Sequence, residues 1–489
     1  MVPVMENAQP RKYDEIPMLP DGTGLGPTLE FRRDRYGLMR RLASGAPVCR
    51  VQLLDRKIAL VTGASEVQEL LVEHASSLAK GAVQKLVGYP VIGDGLLGSS
   101  GELWRKQRKL MAPIFTPAQI AAYGADMLAC AQREMATYED NSRLDVAQSM
   151  TRLTMSVAGK TLFGSDTCSE ADTIGKALAT AIRLFGKLAG SPLAPLQIAI
   201  RDGLSRLGPH LPEALAGLVE KGVQRLESPV LFGEEARELD EAVALLDQYV
   251  AGLIAERREN PEASRDLLTR LLQAHDGADQ MSDKQLRDEI LTLFVAGHET
   301  TAVSLCWSLY LLARHPDVYR QVQTDVDALA GEPTVADLPR LGSVLRVFKE
   351  ALRMYPPLPL FARDTIEDIV VGGYEIPKGT PVLISPYATH HRPELWTDPD
   401  KFDPDRFLPA AESARHRYAY IPFSAGPRIC IGNHFALMEA TIVLTTLLRN
   451  YEFSLESDAE IPGEIDSALR PKDGLFMHIK RRSPATKAA

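Results

Sequence analysis

A long apolar helix is the sequence feature that most constrains how this chain can fold. Residues 282–285, Ser-Asp-Lys-Gln, have the form of a capping box, in which the first and last side chains satisfy backbone amides at a helix start. The next proline is Pro316, so the helix can run for about 32 residues, or roughly 48 Å. Its residues are apolar on nearly every side, which predicts a helix that passes through the core of a large domain.

The centre of this helix carries a polar patch at residues 297–301, Gly-His-Glu-Thr-Thr. Polar groups in a buried helix cost free energy unless they are partnered, so the patch is a candidate for function. The Thr300 hydroxyl can bond the carbonyl of Ala296, which tends to bend or open a helix. The alternative is a threonine that is satisfied by its own helix and has no further role. A zinc site of the H-E-x-x-H type is excluded because residue 302 is alanine.

Helical periodicity dominates the rest of the chain, and strand patterns are confined to its two ends. Helical spacing of apolar residues runs from about residue 65 to residue 357 and returns at about 432–449. Strand patterns occupy 48–61 and 369–385, and short strands are expected in the last forty residues or so. The sequence therefore predicts a mainly α fold with a small segregated β region.

The absence of any dividing segment in the sequence predicts how the chain is organised into domains. No linker, charge block or repeat divides the 489 residues, so we expect one domain over 31–482. An irregular segment at 1–30 precedes it and a short tail at 483–489 follows it. The N-terminus contains charges and prolines but no apolar run, so neither a signal peptide nor a transmembrane anchor is expected. These features predict a cytoplasmic location.

Charge and cysteine usage exclude several classes of protein. The net charge is −9, and no basic run with interleaved aromatic residues is present, so a nucleic-acid partner is not expected. The cysteine count is odd and no C-x-x-C occurs, which argues against a disulfide framework, a zinc site or an iron–sulfur site. Reduced thiols are typical of the cytosol. The cysteines are Cys49, Cys130, Cys168, Cys306 and Cys430.

One cysteine lies in a loop whose neighbours suggest a cofactor. An inert buried thiol is the usual interpretation of a lone cysteine among apolar residues. Here flanking glycines allow the backbone to approach a flat ligand closely, and a helix start just after the cysteine favours a thiolate. An arginine in the loop can pair with a carboxylate of the ligand. The pattern F-x-x-G-x-R-x-C-x-G is formed by Phe423, Gly426, Arg428, Cys430 and Gly432.

This loop resembles the haem-binding loop of the cytochrome P450 family. Four further stretches resemble family motifs and occur in the family's order: 104–108, 296–301, 350–353 and 404–407. The resemblance implies the cytochrome P450 fold, a triangular helical body with a long central helix and small β-sheets. It also implies haem b held without covalent attachment, with Cys430 as the axial ligand of the iron.

The resemblance assigns several other residues to the haem. Trp104 and Arg108 are similar to the family's W-x-x-x-R helix, whose side chains contact haem propionates, although an ordinary amphipathic helix would show the same spacing. Arg363 and Arg428 are expected to bind propionates as well. Loop and helix residues expected to contact the haem are Phe423, Gly426, Gly432, Ala296 and Gly297.

A structural cluster and a catalytic pair follow from the same resemblance. Glu350 and Arg353 match the family's E-x-x-R pair, and Arg406 matches the arginine to which that pair is locked. The segment at 404–407 has aspartate where the family has glutamate. We expect this cluster to support the cysteine loop and to take no part in the chemistry. Glu299 and Thr300 match the family's acid–threonine pair and are expected to relay protons during the activation of O₂.

The implied activity is that of a haem-dependent monooxygenase. It inserts one oxygen atom of O₂ into a C–H bond of a hydrophobic small molecule, which is hydroxylation, or adds that atom across a double bond, which is epoxidation. No G-x-G-x-x-G fingerprint is present, so a separate ferredoxin or flavodoxin with its NAD(P)H reductase is expected to supply electrons to a monomeric enzyme. The alternatives are an H₂O₂-driven peroxygenase and a non-catalytic haem-thiolate sensor, and Glu299 with Thr300 argues against both.

Candidate substrate contacts are apolar and carry no fixed charge, although packing in the core would explain the same residues. They favour a hydrophobic substrate. The candidates are Val87, Phe294, Val295, Leu358, Leu360, Phe361, Ala468 and Leu469.

Overall fold

The computed structural model is mainly helical with small sheets, which confirms the predicted fold class. It describes residues 9–19, 30, 33–53, 56–164, 171–189, 193–207, 211–231, 233–260, 266–273, 275–276 and 279–482. The helices are α1 (Arg35–Ala43), α2 (Ala64–Gln68), α3 (Ala82–Ile92), α4 (Gly101–Met111), α5 (Pro117–Ala121), α6 (Gly124–Met135), α7 (Val146–Phe163), α8 (Ala171–Ala189), α9 (Leu193–Leu207), α10 (Glu213–Arg225), α11 (Glu234–Glu259), α12 (Leu267–Gln273), α13 (Asp283–Arg314), α14 (Pro316–Asp327), α15 (Gly342–Met354), α16 (Pro386–His390), α17 (Pro409–Ala414) and α18 (Asn433–Asn450).

The strands are short and lie mostly towards the two ends of the chain. The strands expected at 48–61, at 369–385 and in the last forty residues are present. The sequence patterns did not single out the strands at 78–80, 142–145, 275–276, 279–280 and 361–365. The strands are β1 (Val48–Leu53), β2 (Arg56–Val61), β3 (Leu78–Lys80), β4 (Ser142–Asp145), β5 (His275–Asp276), β6 (Asp279–Gln280), β7 (Phe361–Thr365), β8 (Ile369–Val371), β9 (Tyr374–Ile376), β10 (Pro381–Ile384), β11 (Tyr451–Leu455), β12 (Gly463–Ile465), β13 (Leu469–Pro471) and β14 (Phe476–Arg481).

The chain forms two compact units. The first contains Met1–Ala82, Leu358–Lys401 and Pro409–Cys430, and the second contains Val83–Pro357, Phe402–Leu408 and Ile431–Ala489. The single domain over 31–482 therefore stays a prediction. Most of the predicted irregular segment at 1–30, and the whole tail at 483–489, lie outside the described residues.

The first unit is built on a five-stranded sheet with the order β1-β2-β10-β7-β3. Adjacent strands in this sheet are antiparallel, except that β10 runs parallel to β2. Residues 9–19 contribute a short 3₁₀ turn and two isolated bridges, and Tyr13 and Ile16 are buried in the same apolar core as the sheet. Strands β8 and β9 form a hairpin over Gly372-Gly373, and both glycines have positive φ, as this turn requires.

The second unit is organised around α13. Its 32 residues begin with the predicted capping box: Ser282 Oγ accepts from Gln285 N at 3.3 Å, and Gln285 Oε1 accepts from Ser282 N at 3.0 Å. The helix packs against α7, α11, α15 and α18. Among the described residues α13 is the helix long and apolar enough to cross a membrane, but 67% of its apolar window is buried, as in a core helix.

Candidate functional site

The cysteine loop of the first unit has a fixed backbone shape. A 3₁₀ turn covers Gly426–Arg428, and the amide of Cys430 donates to the carbonyl of Phe423 at 2.9 Å. Gly426 has φ +67°, and a Cβ there would lie 2.0 Å from the carbonyl oxygen of Leu71, so only glycine fits. The loop therefore presents Cys430 at the end of a tight turn, three residues before α18 begins.

Cys430 differs from the other described cysteines in its exposure. Cys49, Cys130 and Cys306 are buried, and Cys168 lies outside the described residues. Burial raises the pKa of the Cys49 thiol to about 12 and also raises the pKa of the Cys306 thiol, which keeps both protonated and unreactive. Cys430 is exposed and is thus accessible to a ligand.

Positive side chains gather near Cys430 within the first unit. Burial, together with Arg428, lowers the pKa of Arg363 to about 10, and burial lowers the pKa of Arg428 to about 10. Lys80 pairs with Arg363 across β3 and β7, and burial with both arginine charges lowers its pKa, whereas the Cys430 charge raises it. Cations that disfavour one another's charge bind an anionic group well. Carboxylates of a cofactor fit this cluster.

Lys80 was missed in the sequence analysis. It lies in a three-residue strand with no motif around it, and only the pairing of β3 with β7 places it beside Arg363. Arg363 itself is almost fully buried, and its Nη1 donates to the carbonyl of Ala362 at 2.7 Å.

Trp104 and Arg108 share one face of α4 in the second unit, as their spacing predicts. Both side chains are half-buried, whereas the other tryptophans, Trp307 and Trp396, are fully buried. Trp104 is therefore not an ordinary core residue. Its assignment to a haem propionate stays a prediction.

The middle of α13 has an open face. Ala296 is exposed, and Val295, Gly297, Glu299 and Thr300 are partly exposed, although the helix is buried on either side of them. A Cβ added to Gly297 would meet nothing within 4 Å. The small residues thus leave room for a ligand beside this part of the helix.

The hydrogen bond expected of Thr300 is present, but the helix does not open. Thr300 Oγ1 donates to the carbonyl of Ala296 at 2.8 Å, and α13 continues as a regular helix through this position. His298 faces the other way: it is buried, and its Nδ1 lies 2.7 Å from the carbonyl oxygen of Phe294. Burial lowers the pKa of His298, so the ring is neutral near pH 7.

Glu299 has a partner that the sequence did not reveal. Ser467 Oγ donates to Glu299 Oε1 at 2.7 Å, from the turn between β12 and β13. Burial raises the pKa of Glu299, whereas the Ser467 hydrogen bond and the positive charge of Arg470 lower it. A carboxyl group under these opposing influences is suited to exchanging a proton.

The residues of the proposed structural cluster are brought together in the second unit. Glu350 and Arg353 are fully buried and form a two-pronged pair, with Nε–Oε2 at 2.7 Å and Nη2–Oε1 at 2.8 Å. Arg406 Nε lies 3.4 Å from Glu350 Oε1, which also accepts from the amide of Asp403 at 3.0 Å. The aspartate at the family's glutamate position, Asp405, is exposed and lies outside this cluster.

The candidate substrate contacts differ in their surroundings. Phe294 is buried and stacks on Phe163 with ring centroids 4.3 Å apart, which is core packing. Leu358 is exposed, and Phe361 packs against the core of the first unit. Their role in substrate binding stays a prediction. Val87, Ala468 and Leu469 are buried, and Val295 and Leu360 are partly exposed.

Carboxylates of α13 hold the backbone of the segment that follows α3. Asp288 Oδ2 accepts from the amide of Asp94 at 3.0 Å, and Glu289 Oε2 accepts from the amide of Leu96 at 2.9 Å. Within the described part of the chain, Glu289 Oε1 is buried with no hydrogen-bond partner. Burial raises the pKa of Glu289 to about 7.

The raised pKa of Glu289 predicts a stability that depends on pH. Because the folded protein binds this proton more tightly than the unfolded chain, the stabilisation is complete below the unfolded pKa and is lost as pH rises towards 7. The loss is on the order of 3 kcal/mol. Glu289→Gln, whose amide oxygen can still accept from Leu96, should remove this part of the slope. The free energy of unfolding in urea is measured for the wild type and for Glu289→Gln between pH 5 and pH 8. The same dependence on pH in both proteins would contradict the prediction.

Comparison with known proteins identifies the family. The family model for Cytochrome P450 matches residues 22–213 and 224–479. Cyclooctatin synthase of Streptomyces melanosporofaciens is 32% identical over 91% of this chain and 90% of its own length. Cytokinin hydroxylase of Arabidopsis thaliana is 31% identical over 86% of this chain and 78% of its own length. The crystal structure of the cytochrome P450DA haem domain has a TM-score of 0.78 and 27% identity, and covers 97% of this chain and 98% of that one.

A mainly helical fold with an exposed loop cysteine and nearby cations is what a haem-thiolate enzyme requires. The chain belongs to the cytochrome P450 family. It is a monooxygenase that uses haem b as its cofactor and O₂ as its co-substrate. The residues of the first unit fit haem, because Cys430 is accessible and the neighbouring cations suit propionates.

Proposed function

We propose that this enzyme inserts oxygen into a C–H bond of a hydrophobic small molecule, with Cys430 as the axial ligand and Glu299 and Thr300 as the proton-delivering pair. The observation that carries the proposal is the open centre of α13. Both polar side chains lie on the exposed stretch of a helix that is otherwise buried. Bound haem supplies the activation of O₂ and the oxidation of the C–H bond.

The chain's own residues bind, orient and move protons. Arg363, Arg428 and Lys80 hold haem carboxylates, and we assign Trp104 and Arg108 to the same task. The Thr300 hydroxyl donates a hydrogen bond to the Ala296 carbonyl. The hydroxyl oxygen of Thr300 is therefore left to accept a hydrogen bond from a ligand or water at the open face.

Glu299 is the proton source in this arrangement. Its pKa is raised by burial, so its carboxyl group holds a proton at a higher pH than an exposed glutamate does. It is next to Thr300 in the chain, and both side chains are partly exposed.

A hydrophobic substrate agrees with the apolar residues proposed to contact it. Val295, Leu358 and Leu360 carry no charge and are at least partly exposed. Two relatives are named for small organic molecules, cyclooctatin in cyclooctatin synthase and a cytokinin in cytokinin hydroxylase. Small organic molecules of that kind are the first set to screen. Substrate binding is monitored through the shift that it causes in the haem absorption band. Tight binding only of highly charged molecules would contradict this substrate class.

We propose a ferredoxin or flavodoxin with its NAD(P)H reductase as the electron source, and a monomeric enzyme in the cytoplasm. Arg105 and Lys109 are exposed on α4, where they suit an acidic redox protein, although a solvated surface explains them equally well. Arg105→Glu/Lys109→Glu should weaken electron transfer more at low ionic strength than at high. An unchanged rate of electron transfer at both ionic strengths would contradict the proposal that Arg105 and Lys109 contact the redox protein.

A peroxygenase and a non-catalytic sensor are the competing functions. NAD(P)H oxidation with product formed in the presence of redox proteins supports the monooxygenase. Turnover with H₂O₂ alone, and none with redox proteins, would favour the peroxygenase. Tight haem binding without turnover under either condition would favour the sensor.

Thr300→Ala should keep the haem but divert electrons from product to peroxide. The product formed per NAD(P)H should fall about 10-fold or more, because the variant lacks the hydroxyl group that accepts a hydrogen bond from the ligand or water. Thr300→Ser should retain most of the coupling. Product and peroxide are measured together in one reaction.

Thr151→Ala is the matched control for this prediction. Thr151 makes the same bond to the carbonyl four residues earlier, at 2.8 Å, on an exposed face of α7. Its loss should leave coupling unchanged. A fully coupled Thr300→Ala enzyme would refute the role given to Thr300.

A further inference from the structure

The turn between β12 and β13 contacts the candidate catalytic acid through one side chain. Ser467 Oγ lies 2.7 Å from Glu299 Oε1, a normal hydrogen bond, although the two residues are 168 positions apart in the chain. Ser467 is partly exposed, and the residues that follow it, Ala468 and Leu469, are buried. One oxygen of the Glu299 carboxyl is therefore fixed by a group outside its own helix.

The turn is anchored to the same helix at a second point. Trp307 Nε1 donates to the carbonyl of Leu469 at 2.8 Å, and Trp307 stacks on Tyr355 with ring centroids 3.8 Å apart. The amide of Leu469 donates to the carbonyl of Pro357 at 2.9 Å. Trp307 and Glu299 are eight residues apart on α13. The position of Ser467 relative to Glu299 is thus set by two hydrogen bonds to the backbone of Leu469, two residues further along the chain.

The other side of the turn is packed as well. The amide of Asp466 donates to the carbonyl of Ala468 at 3.2 Å. A Cβ at Gly186 of α8 would come within 2.2 Å of Asp466 Oδ1, so this helix lies directly against the turn. Ser467 is therefore held in place by α8 as well as by α13.

The charges around Glu299 give the hydrogen bond a chemical consequence. Burial raises the pKa of Glu299; the Ser467 hydrogen bond is the largest of the opposing effects, followed by the positive charge of Arg470. Asp466 raises the pKa, and Arg470 is itself shared with Asp466 and Glu464 at 3.5 Å and 3.4 Å. The hydroxyl of Ser467 thus stabilises the ionised form of a carboxyl group whose partial burial favours the protonated form.

We propose that Ser467 is a positioning residue that holds the Glu299 carboxyl in one orientation and lets it alternate between its protonated and ionised forms. The inference rests on the proposed role of Glu299 in proton delivery. Without the hydroxyl, the carboxyl would retain its proton at higher pH and would no longer be directed by the turn. Proton delivery would then be slower, and electrons would pass to peroxide instead of product.

The test compares Ser467→Ala and Ser467→Thr with the wild type, all loaded with haem. Infrared difference spectra follow the C=O stretch of the protonated carboxyl during a pH titration, and Glu299→Gln identifies the band by its loss. Ser467→Ala should raise the midpoint by about one pH unit, because a hydrogen bond to the charged form has been removed. Ser467→Thr should restore the wild-type midpoint. An unchanged midpoint in Ser467→Ala overturns the proposal.

Product formed per NAD(P)H is measured on the same proteins. Ser467→Ala should lose coupling and should regain part of it at higher pH, in step with the shifted midpoint, whereas Ser467→Thr should stay coupled. Ser454→Ala is the matched control, because that serine is exposed on β11 and bonds only weakly to the carbonyl of His478, at 3.4 Å. If Glu299→Gln is fully coupled while the infrared shift is present, the proposed role of Glu299 fails and the contact is structural only.

Discussion

Cys430→Ala should abolish the strongly red-shifted absorption band that thiolate-ligated haem gives when it is reduced and exposed to carbon monoxide. Cys430 is the exposed thiol among the described cysteines, whereas Cys49, Cys130 and Cys306 are buried, so none of these three can take its place. Loss of the thiolate also removes the electron donation that favours cleavage of the O–O bond. Monooxygenase activity should fall to background.

Cys49→Ala is the control for this experiment. Cys49 is buried on β1, and its raised pKa keeps the thiol protonated, so its removal should leave the red-shifted band intact. The difference spectrum of dithionite-reduced protein with and without carbon monoxide is the measurement. A red-shifted band that survives in Cys430→Ala would disprove the ligand assignment.

Arg353→Ala should have the second large effect, a loss of stability together with loss of haem. Arg353 and Glu350 are both fully buried, so removal of the arginine leaves a buried carboxylate with less compensation, at a cost of about 3–5 kcal/mol. At about 1 °C per kcal/mol in a chain of this size, Tm should fall by about 3–5 °C. The pKa of Glu350 is raised by burial and lowered by the arginines, so it should rise further in the variant. Destabilisation should therefore be greater at high pH than at low pH.

Arg320→Ala provides a matched control on another helix. Arg320 pairs with Asp317 at the same three-residue spacing, but both side chains are largely exposed to solvent. Exposed pairs of this kind contribute at most about 1 kcal/mol, so stability and haem content should hardly change. Thermal unfolding and the ratio of haem to protein absorbance are measured for both variants. Equal effects of the two substitutions would mean that burial of the Glu350 pair has no special importance.

Local sequence patterns predicted the parts of the molecule that depend on near neighbours. The capping box at Ser282, the length of α13 and the bond from Thr300 to Ala296 all follow from residues within one or two helical turns. The tight turn at Gly426 follows from the glycine itself. These features could be predicted because their physical causes lie within a few residues.

The remaining features depend on residues that are far apart in the chain. Ser467 reaches Glu299 only because β12, β13 and α13 pack together, and no motif surrounds it. Lys80 meets Arg363 through the pairing of two short strands. The opening of α13 expected at Thr300 is absent, since the hydroxyl makes its bond while the helix continues unbroken. Tertiary packing decided the contacts of Ser467 and Lys80, and a single sequence does not encode it in any local pattern.

The strand order of the first unit has a consequence for the synthesis of the protein. Strand β2 pairs with β10, so the middle of this sheet cannot form until residues near 384 have left the ribosome. At about 5–20 residues per second, β2 waits on the order of 15–65 s for its partner. Pairing with β1 covers only one edge of β2, so the backbone groups of its other edge stay unpaired until β10 has been made. With Cys430 as its proposed ligand, haem is expected to bind late, after the chain has been made past that residue.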